Sequence, residues 1–128
     1  MSEYTGALRR AIVAYKYGGD RHWAEPFARL LLRFLDQHAT WFEEYEVLCP
    51  APSFTGPNAR RLWAPVETVC AALARLADQS WPVETLLIKV VETQPAVGKK
   101  GPERRAAAAS LRAALTVPSA AIVRGSRV

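Results

Sequence analysis

Apolar side chains recur at helical spacing in two neighbouring segments near the N-terminus. In the first segment Leu8, Ile12 and Tyr15 fall on one helical face, and a glycine pair then supplies a stop. The second segment repeats apolar residues at i, i+3, i+4, i+7 and i+8, namely Phe27, Leu30, Leu31, Phe34 and Leu35. Residues 1–44 are therefore predicted to form a helical hairpin, which must pack on the rest of the chain because two short helices are not stable alone.

The remainder of the chain alternates between short apolar runs and helical patterns. One apolar run ends at Pro50, and an apolar-periodic segment begins at Pro65. A second apolar run covers residues 85–91, an alanine-rich helical segment comes next, and another strand pattern starts at residues 126–128. This order is typical of a parallel sheet with helices on its faces. We therefore predict a single domain of α/β fold, with a partial Rossmann-like parallel-sheet core over residues 45–128 preceded by the helical hairpin.

Composition and charge narrow the class of protein. Half of the 128 residues are hydrophobic, and the formal net charge of +5 favours an anionic ligand or partner. No apolar run reaches the roughly 18 residues that a membrane span needs, and the N-terminus lacks a signal-peptide pattern, so we expect a cytoplasmic protein without a membrane partner. Cys49 and Cys70 lack metal-ligand spacing, and we expect reduced thiols rather than a disulfide or a metal site.

The stretch that follows the first apolar run, residues 50–61, is rich in turn-forming residues. It begins with Pro50, Ala51, Pro52 and Ser53 and ends in Arg60 and Arg61. In open parallel sheets, loops that lead from strands to helix N-termini bind anionic ligands through backbone N–H groups. The two arginines would add charge-assisted hydrogen bonds. The alternative is a long connector with solvated arginines, since no Walker-type or dinucleotide glycine pattern is present.

Several passages of the chain, in order, resemble the ComF family. They are "YKYGGD" at the end of the first helical segment, "VLCPAP" at the first apolar run, and "ETQPAVGKKGPERR" before the alanine-rich helix. ComF proteins are bacterial proteins similar to type I phosphoribosyltransferases. The resemblance extends over nearly the whole chain, although none of these passages is diagnostic alone. It implies a phosphoribosyltransferase-like domain that binds phosphoribosyl pyrophosphate or a nucleotide.

The resemblance also implies roles for particular residues. The loop at Pro50 to Ser53 would bind the pyrophosphate of phosphoribosyl pyrophosphate through backbone amides, with Arg60 or Arg61 as a phosphate clamp. A mobile loop over residues 93–105 would close on the substrate. The basic side chains of that loop that would face the pyrophosphate are Lys99, Lys100, Arg104 and Arg105. A solvated run of charges is the alternative for that loop. By the same resemblance, Mg²⁺ would be held through the substrate.

Two departures from the family pattern qualify this expectation. Family members often have a glycine after the arginine of the first loop, whereas this chain has Leu62 after Arg61. The family's phosphoribosyl pyrophosphate motif, an acidic pair and a threonine- and glycine-rich loop, would come after Val128. From the sequence we therefore expect an incomplete domain that does not itself catalyse phosphoribosyl transfer, with an unpaired apolar edge at residues 121–128 that favours self-association.

Two hypotheses of function remain open from the sequence. The first is a phosphoribosyltransferase-family protein that binds phosphoribosyl pyrophosphate or a nucleotide. The second is an accessory protein of nucleic-acid handling or DNA uptake (competence) without enzymatic activity. Aromatic residues do not alternate with basic ones along the sequence as a base-stacking surface would require, and this favours the first hypothesis.

Overall fold

The computed structural model describes residues 5–94, 98–120, 124–125 and 127–128. Helices account for most of the regular structure in these residues. The elements in chain order are α1 (Gly6–Gly18), α2 (Ala24–Gln37), α3 (Pro65–Ala77), β1 (Ile88–Lys89), α4 (Gly101–Ala113) and β2 (Leu115–Thr116). Short 3₁₀ turns at Arg21–Trp23 and Ala39–Trp41 flank α2 on its two sides.

The two helices predicted near the N-terminus are confirmed. Helix α1 ends at a glycine pair, in which Gly19 adopts a left-handed conformation with φ 76° and donates its N–H to the carbonyl of Ala14. Helix α2 begins at Ala24, which places Pro26 in its first turn, where its missing N–H breaks no helical hydrogen bond. Thr5 precedes α1 but makes no side-chain capping bond. The end of α1 and the start of α2 therefore fit local glycine and proline chemistry.

The core lies between α2 and α3. Its fully buried members are Ala28 and Leu35 of α2 and Ala72 and Leu73 of α3. Alanines at the crossing let the two helices approach closely, while the leucines fill the space beside them. The sequence pattern placed Leu30 on the buried face, but it is 59% exposed.

Helix α1 is attached to this core through an aromatic cluster. The buried hydroxyl of Tyr15 donates a hydrogen bond of 2.6 Å to the carbonyl of Pro65, the first residue of α3. The Tyr15 ring meets Trp63 and Phe27 edge-on, with centroid separations of 4.7 and 5.3 Å. These contacts join α1, α2 and the start of α3, and they place the end of the 50–64 segment beside the hairpin.

The predicted parallel α/β core is wrong. The sheet of the described residues has two strands, β1 and β2, which pair antiparallel with Ile88 opposite Thr116 and Lys89 opposite Leu115. The segment predicted as the first strand, 46–50, makes an isolated parallel bridge from Leu48 to Val83 instead of a ladder.

Burial explains why the apolar run at 85–91 does not form a central parallel strand. Such a strand has both faces covered by helices. Here Leu86 is buried, whereas Ile88, Val90 and Val91 are 43%, 54% and 52% exposed. Helix α4 supplies no second layer, since none of its residues is fully buried. The chain instead leaves α4 directly into β2, which turns back along β1 and pairs with it antiparallel.

The strand predicted to start at residues 126–128, and the apolar edge predicted at 121–128, fall partly outside the described residues, which exclude 121–123 and 126. Within the described part, the backbone carbonyl of Arg127 accepts a hydrogen bond of 2.8 Å from the N–H of Glu46. The Arg127 guanidinium also pairs with the carboxylate of Glu44 at 2.8 Å. This end of the chain therefore lies beside the segment that comes after α2.

Candidate anion-binding cleft

The loop that begins at Pro50 is held against α3 by a carboxylate. Ser53 donates both its backbone N–H and its hydroxyl to the carboxylate of Glu67, with the hydroxyl at 3.2 Å. Glu67 lies in the first turn of α3. Pro50 and Pro52 have no N–H to offer, and the Ser53 N–H is already engaged. An anion that bound to Ser53 would therefore have to take the place of Glu67.

A second carboxylate holds the other end of the same loop. The backbone N–H of Arg60 donates to Glu92 over 3.1 Å, and the ammonium group of Lys89 lies 3.7 Å from the same carboxylate. The Arg60 hydrogen bond, and then the charge of Lys89, lower the pKa of the Glu92 carboxyl below its ordinary value. Glu92 is thus ionised at neutral pH.

The lowered pKa of Glu92 determines how the stability of the fold changes with pH. Because the pKa of Glu92 is lower in the folded chain than in the unfolded chain, ionised Glu92 stabilises the fold at pH values above its ordinary, unfolded pKa. That contribution is lost as the pH falls through the lowered, folded-state value. The tether between Arg60 and the segment after β1 is therefore in place at neutral pH.

These two segments and helix α4 surround a cleft of about 400 Å³, which we call the basic cleft. Its charged lining comprises Arg60, Arg61, Lys89, Glu92 and Arg104. The lining thus includes four cationic residues and one carboxylate. A volume of this size lies within the range of small-molecule sites, and the excess of positive charge favours an anionic ligand.

The basic cleft brings together part of the site predicted from the sequence. Of the predicted residues, its lining includes Pro52, Ser53, Arg60, Arg61 and Arg104. Lys99 instead borders a neighbouring depression, together with Glu103, and this depression shares Gln94 and Ala107 with the basic cleft. The remaining predicted residues, Pro50, Ala51, Lys100 and Arg105, do not line the cleft. Residues 95–97 of the predicted mobile loop lie outside the described residues.

The cleft also contains residues that the sequence interpretation missed. Lys89 lies within the apolar run 85–91, Glu92 directly follows it, and Phe54 belongs to the turn-rich loop. Glu67, which holds this loop, lies in the helical segment that begins at Pro65. One signal was present in the sequence, since an acidic residue in the first turn after Pro65 is a common partner for nearby N–H groups.

Basic and aromatic side chains that are separate in the sequence meet beside the basic cleft. The guanidinium carbon of Arg61 lies 5.0 Å from the centroid of the Tyr17 ring. The guanidinium of Arg21 lies 5.5 Å from the Trp63 ring. Both distances are within the range of cation–π attraction. Because Arg61 also lines the cleft, this pairing connects the cleft to the end of α1.

The chain has two cysteines, one directly before the loop that begins at Pro50 and one in α3. Cys49 and Cys70 are both free and half-buried. Burial, and to a smaller extent the negative charge of Glu67, raises the pKa of the Cys70 thiol. A thiol of raised pKa is mostly protonated at neutral pH and is a poor nucleophile.

The cleft residues do not by themselves form a magnesium site. Glu92 is the one carboxylate in the lining, and it is already engaged by Lys89 and by the Arg60 N–H. Within the described ranges, no three His, Cys, Asp or Glu side chains are grouped to hold a metal ion. A Mg²⁺ ion that entered the cleft would therefore be held by phosphate oxygens of a ligand and by water, as Mg²⁺ commonly is.

Comparisons with protein-family models, with curated proteins and with solved structures found no significant match for the chain. The resemblance to the ComF family therefore rests on the three sequence passages that carry it. Among the described residues, no helix combines the length and the apolar character needed to cross a bilayer.

Proposed function

We propose that the chain binds phosphoribosyl pyrophosphate or a nucleotide in the basic cleft, as its resemblance to the ComF family implies. The observation that supports this proposal is the convergence of Arg60 and Arg61 from one loop with Arg104 from α4. Guanidinium groups from two directions suit the several oxygens of a phosphate or diphosphate, because each can donate a pair of parallel hydrogen bonds.

The same groups would serve phosphoribosyl transfer in the enzymes that the chain resembles. Negative charge builds up on the departing pyrophosphate, and arginines aimed at it would stabilise that charge. Mg²⁺ bound to the diphosphate would neutralise part of it. We propose ligand binding by this chain. In the bound state Glu92 and Glu67 would hold in place the loop that carries Arg60 and Arg61.

The test exploits two adjacent arginines of α4. Arg104 lines the basic cleft and Arg105 does not, although both are exposed and both substitutions remove one positive charge. We expect Arg104→Ala to weaken binding of phosphoribosyl pyrophosphate about tenfold, which corresponds to the loss of one charge-assisted contact. Arg105→Ala should change the dissociation constant less than about twofold, because the Arg105 charge is exposed to solvent outside the lining and is screened by salt. Isothermal titration calorimetry with Mg²⁺ present measures both.

Equal losses in the two variants would contradict the proposal, because they would show attraction to net charge without a site. A second readout is the amide spectrum. Pyrophosphate should shift the signals of Ser53 and Arg60 as well as those of the first turn of α4. Shifts confined to α4 would also count against a shared cleft.

A second candidate function is the handling of single-stranded nucleic acid. The cation–π pairs of Arg61 with Tyr17 and of Arg21 with Trp63 favour it, because stacked aromatic and guanidinium groups are the platforms on which single-stranded bases bind. Arg21→Ala separates the two candidates, since Arg21 lies outside the lining of the basic cleft. Loss of oligonucleotide binding in this variant, with phosphoribosyl pyrophosphate binding unchanged, would favour the second candidate.

A further inference from the structure

The basic cleft has an apolar wall beside its charged groups. That wall is formed by Phe54 from the loop and by Ala107, Ala108 and Leu111 from α4. Leu111 is 43% exposed and α4 has no fully buried residue, so the α4 part of this wall is not covered by protein. Phosphoribosyl pyrophosphate, which has only a sugar and phosphates, offers nothing that would cover such a wall.

The Phe54 ring is placed at this wall by the turn at residues 56–59. A Cβ atom added to Gly56 would lie 2.7 Å from Cζ of the Phe54 ring, so the ring rests directly against the glycine backbone. The turn is closed by a hydrogen bond from the N–H of Ala59 to the carbonyl of Gly56, and Asn58 adopts a left-handed conformation with φ 62°. The turn continues into Arg60, so the ring and the arginines belong to one connected loop.

We infer, resting on the proposed function, that the preferred ligand of the basic cleft is a nucleotide. Its phosphate binds the three arginines, and its base lies between Phe54 and the apolar face of α4. A planar aromatic base has the shape and the apolar faces that this wall requires, and bases commonly stack on phenylalanine rings. Phe54 then determines specificity, because it contacts the base and not the phosphate.

The volume of the basic cleft favours a free mononucleotide over a nucleic-acid strand. At about 400 Å³ the cleft lies near the lower end of the range for small-molecule sites. A strand carries the same base and phosphate chemistry, but it needs a groove that continues past a single nucleotide. A short oligonucleotide therefore serves as a separate arm of the test.

The experiment compares AMP, ribose 5-phosphate and pyrophosphate by calorimetry on the intact chain. We expect AMP to bind at least about tenfold more tightly than ribose 5-phosphate, as a stacked base implies. Phe54→Ala should reduce that preference to about threefold or less while leaving the affinity for ribose 5-phosphate unchanged. Leu111→Ala should partly reduce the preference for AMP over ribose 5-phosphate. The fold should tolerate this variant because the Leu111 side chain is already exposed. Leu62→Ala, at a side chain that is 92% exposed and outside the lining, is the matched control.

The outcomes separate this inference from the proposed function. If none of the three ligands binds, the proposed function is wrong and the inference falls with it. If AMP and ribose 5-phosphate bind with equal affinity, or if Phe54→Ala and Leu111→Ala keep the full preference, the proposed function stands and the inference is overturned. If a single-stranded decanucleotide binds much more tightly than AMP and loses this advantage in Phe54→Ala, the assignment of a free mononucleotide is overturned.

Discussion

At the scale of single residues, one buried hydroxyl joins α1 to the start of α3. Tyr15 is 3% exposed, and its hydroxyl donates to the carbonyl of Pro65 over 2.6 Å. Burial is the main cause that raises the pKa of this phenol, so it remains protonated and able to donate at neutral pH.

Tyr15→Phe should destabilise the fold by about 1 to 2 kcal/mol, because it removes the buried hydrogen bond to the Pro65 carbonyl. Urea unfolding monitored by circular dichroism measures the change. Tyr17→Phe is the control, since Tyr17 is 69% exposed and keeps its ring beneath Arg61. We expect it to change the free energy of unfolding by less than about 0.5 kcal/mol. Similar effects in the two variants would show that the Tyr15 hydrogen bond does not contribute.

The candidate site was predictable in part at this same scale. The turn-rich loop and its two arginines pointed to an anion because glycine, proline and arginine have strong local preferences. The particular partners of Glu67 and Glu92 were not predictable, because each carboxylate bonds a backbone N–H that is far away in sequence. A carboxylate that satisfies such a group looks in the sequence like any surface acid.

At the scale of elements, the packing of α2 on α3 carries the core. Leu73 is fully buried in the crossing, whereas Leu30 of α2 is 59% exposed. Leu73→Ala should destabilise the fold by about 2 to 5 kcal/mol, because it removes buried contacts and leaves a cavity. Leu30→Ala deletes the same atoms at the surface and should cost about 0.5 kcal/mol. Denaturant unfolding measures both changes in the free energy of unfolding. Comparable losses of stability in the two variants would contradict the assignment of the core to this crossing.

Helix α4 illustrates how far helical propensity reaches without packing. Its alanine-rich sequence and the proline in its first turn predicted the helix, and the structure has it at Gly101–Ala113. Its burial was not predictable, because alanine suits an exposed helix and a close helix crossing equally well. The exposed face of α4 is what makes it a wall of the basic cleft.

At the scale of the whole molecule, the antiparallel pairing of β1 with β2 distinguishes this fold from a parallel α/β sheet. Lys89 and Leu115 are opposite each other and the Val90 N–H donates to the Ala114 carbonyl over 2.9 Å, so Lys89 and Leu115 form a non-hydrogen-bonded pair. Nuclear Overhauser spectra should show a strong contact between the α-protons of Lys89 and Leu115. Its absence, together with a continuous parallel ladder between residues 46–50 and 85–91, would contradict the structure.

The sequence by itself determined the helices and most of their ends. Helical periodicity, the glycine pair after α1 and the prolines in the first turns of α2, α3 and α4 are local signals, because a helix satisfies its backbone hydrogen bonds within a few residues. A strand must find its partner elsewhere in the chain. The apolar run at 85–91 does contain a strand, β1, but the partner and the direction of that strand were predicted wrongly.

Only the tertiary structure decided the pairing of the strands and the composition of the basic cleft. Arg104 lines the same cleft as Arg60 and Arg61 because the tertiary structure brings α4 and the loop to that cleft. Arg105, its neighbour in the sequence, lies outside the lining, and no local pattern distinguishes the two. Phe54 likewise joins the cleft through the turn at Gly56 and the position of α4. Such contacts depend on how distant segments share limited space and cover one another from water, which periodicity along the chain does not encode.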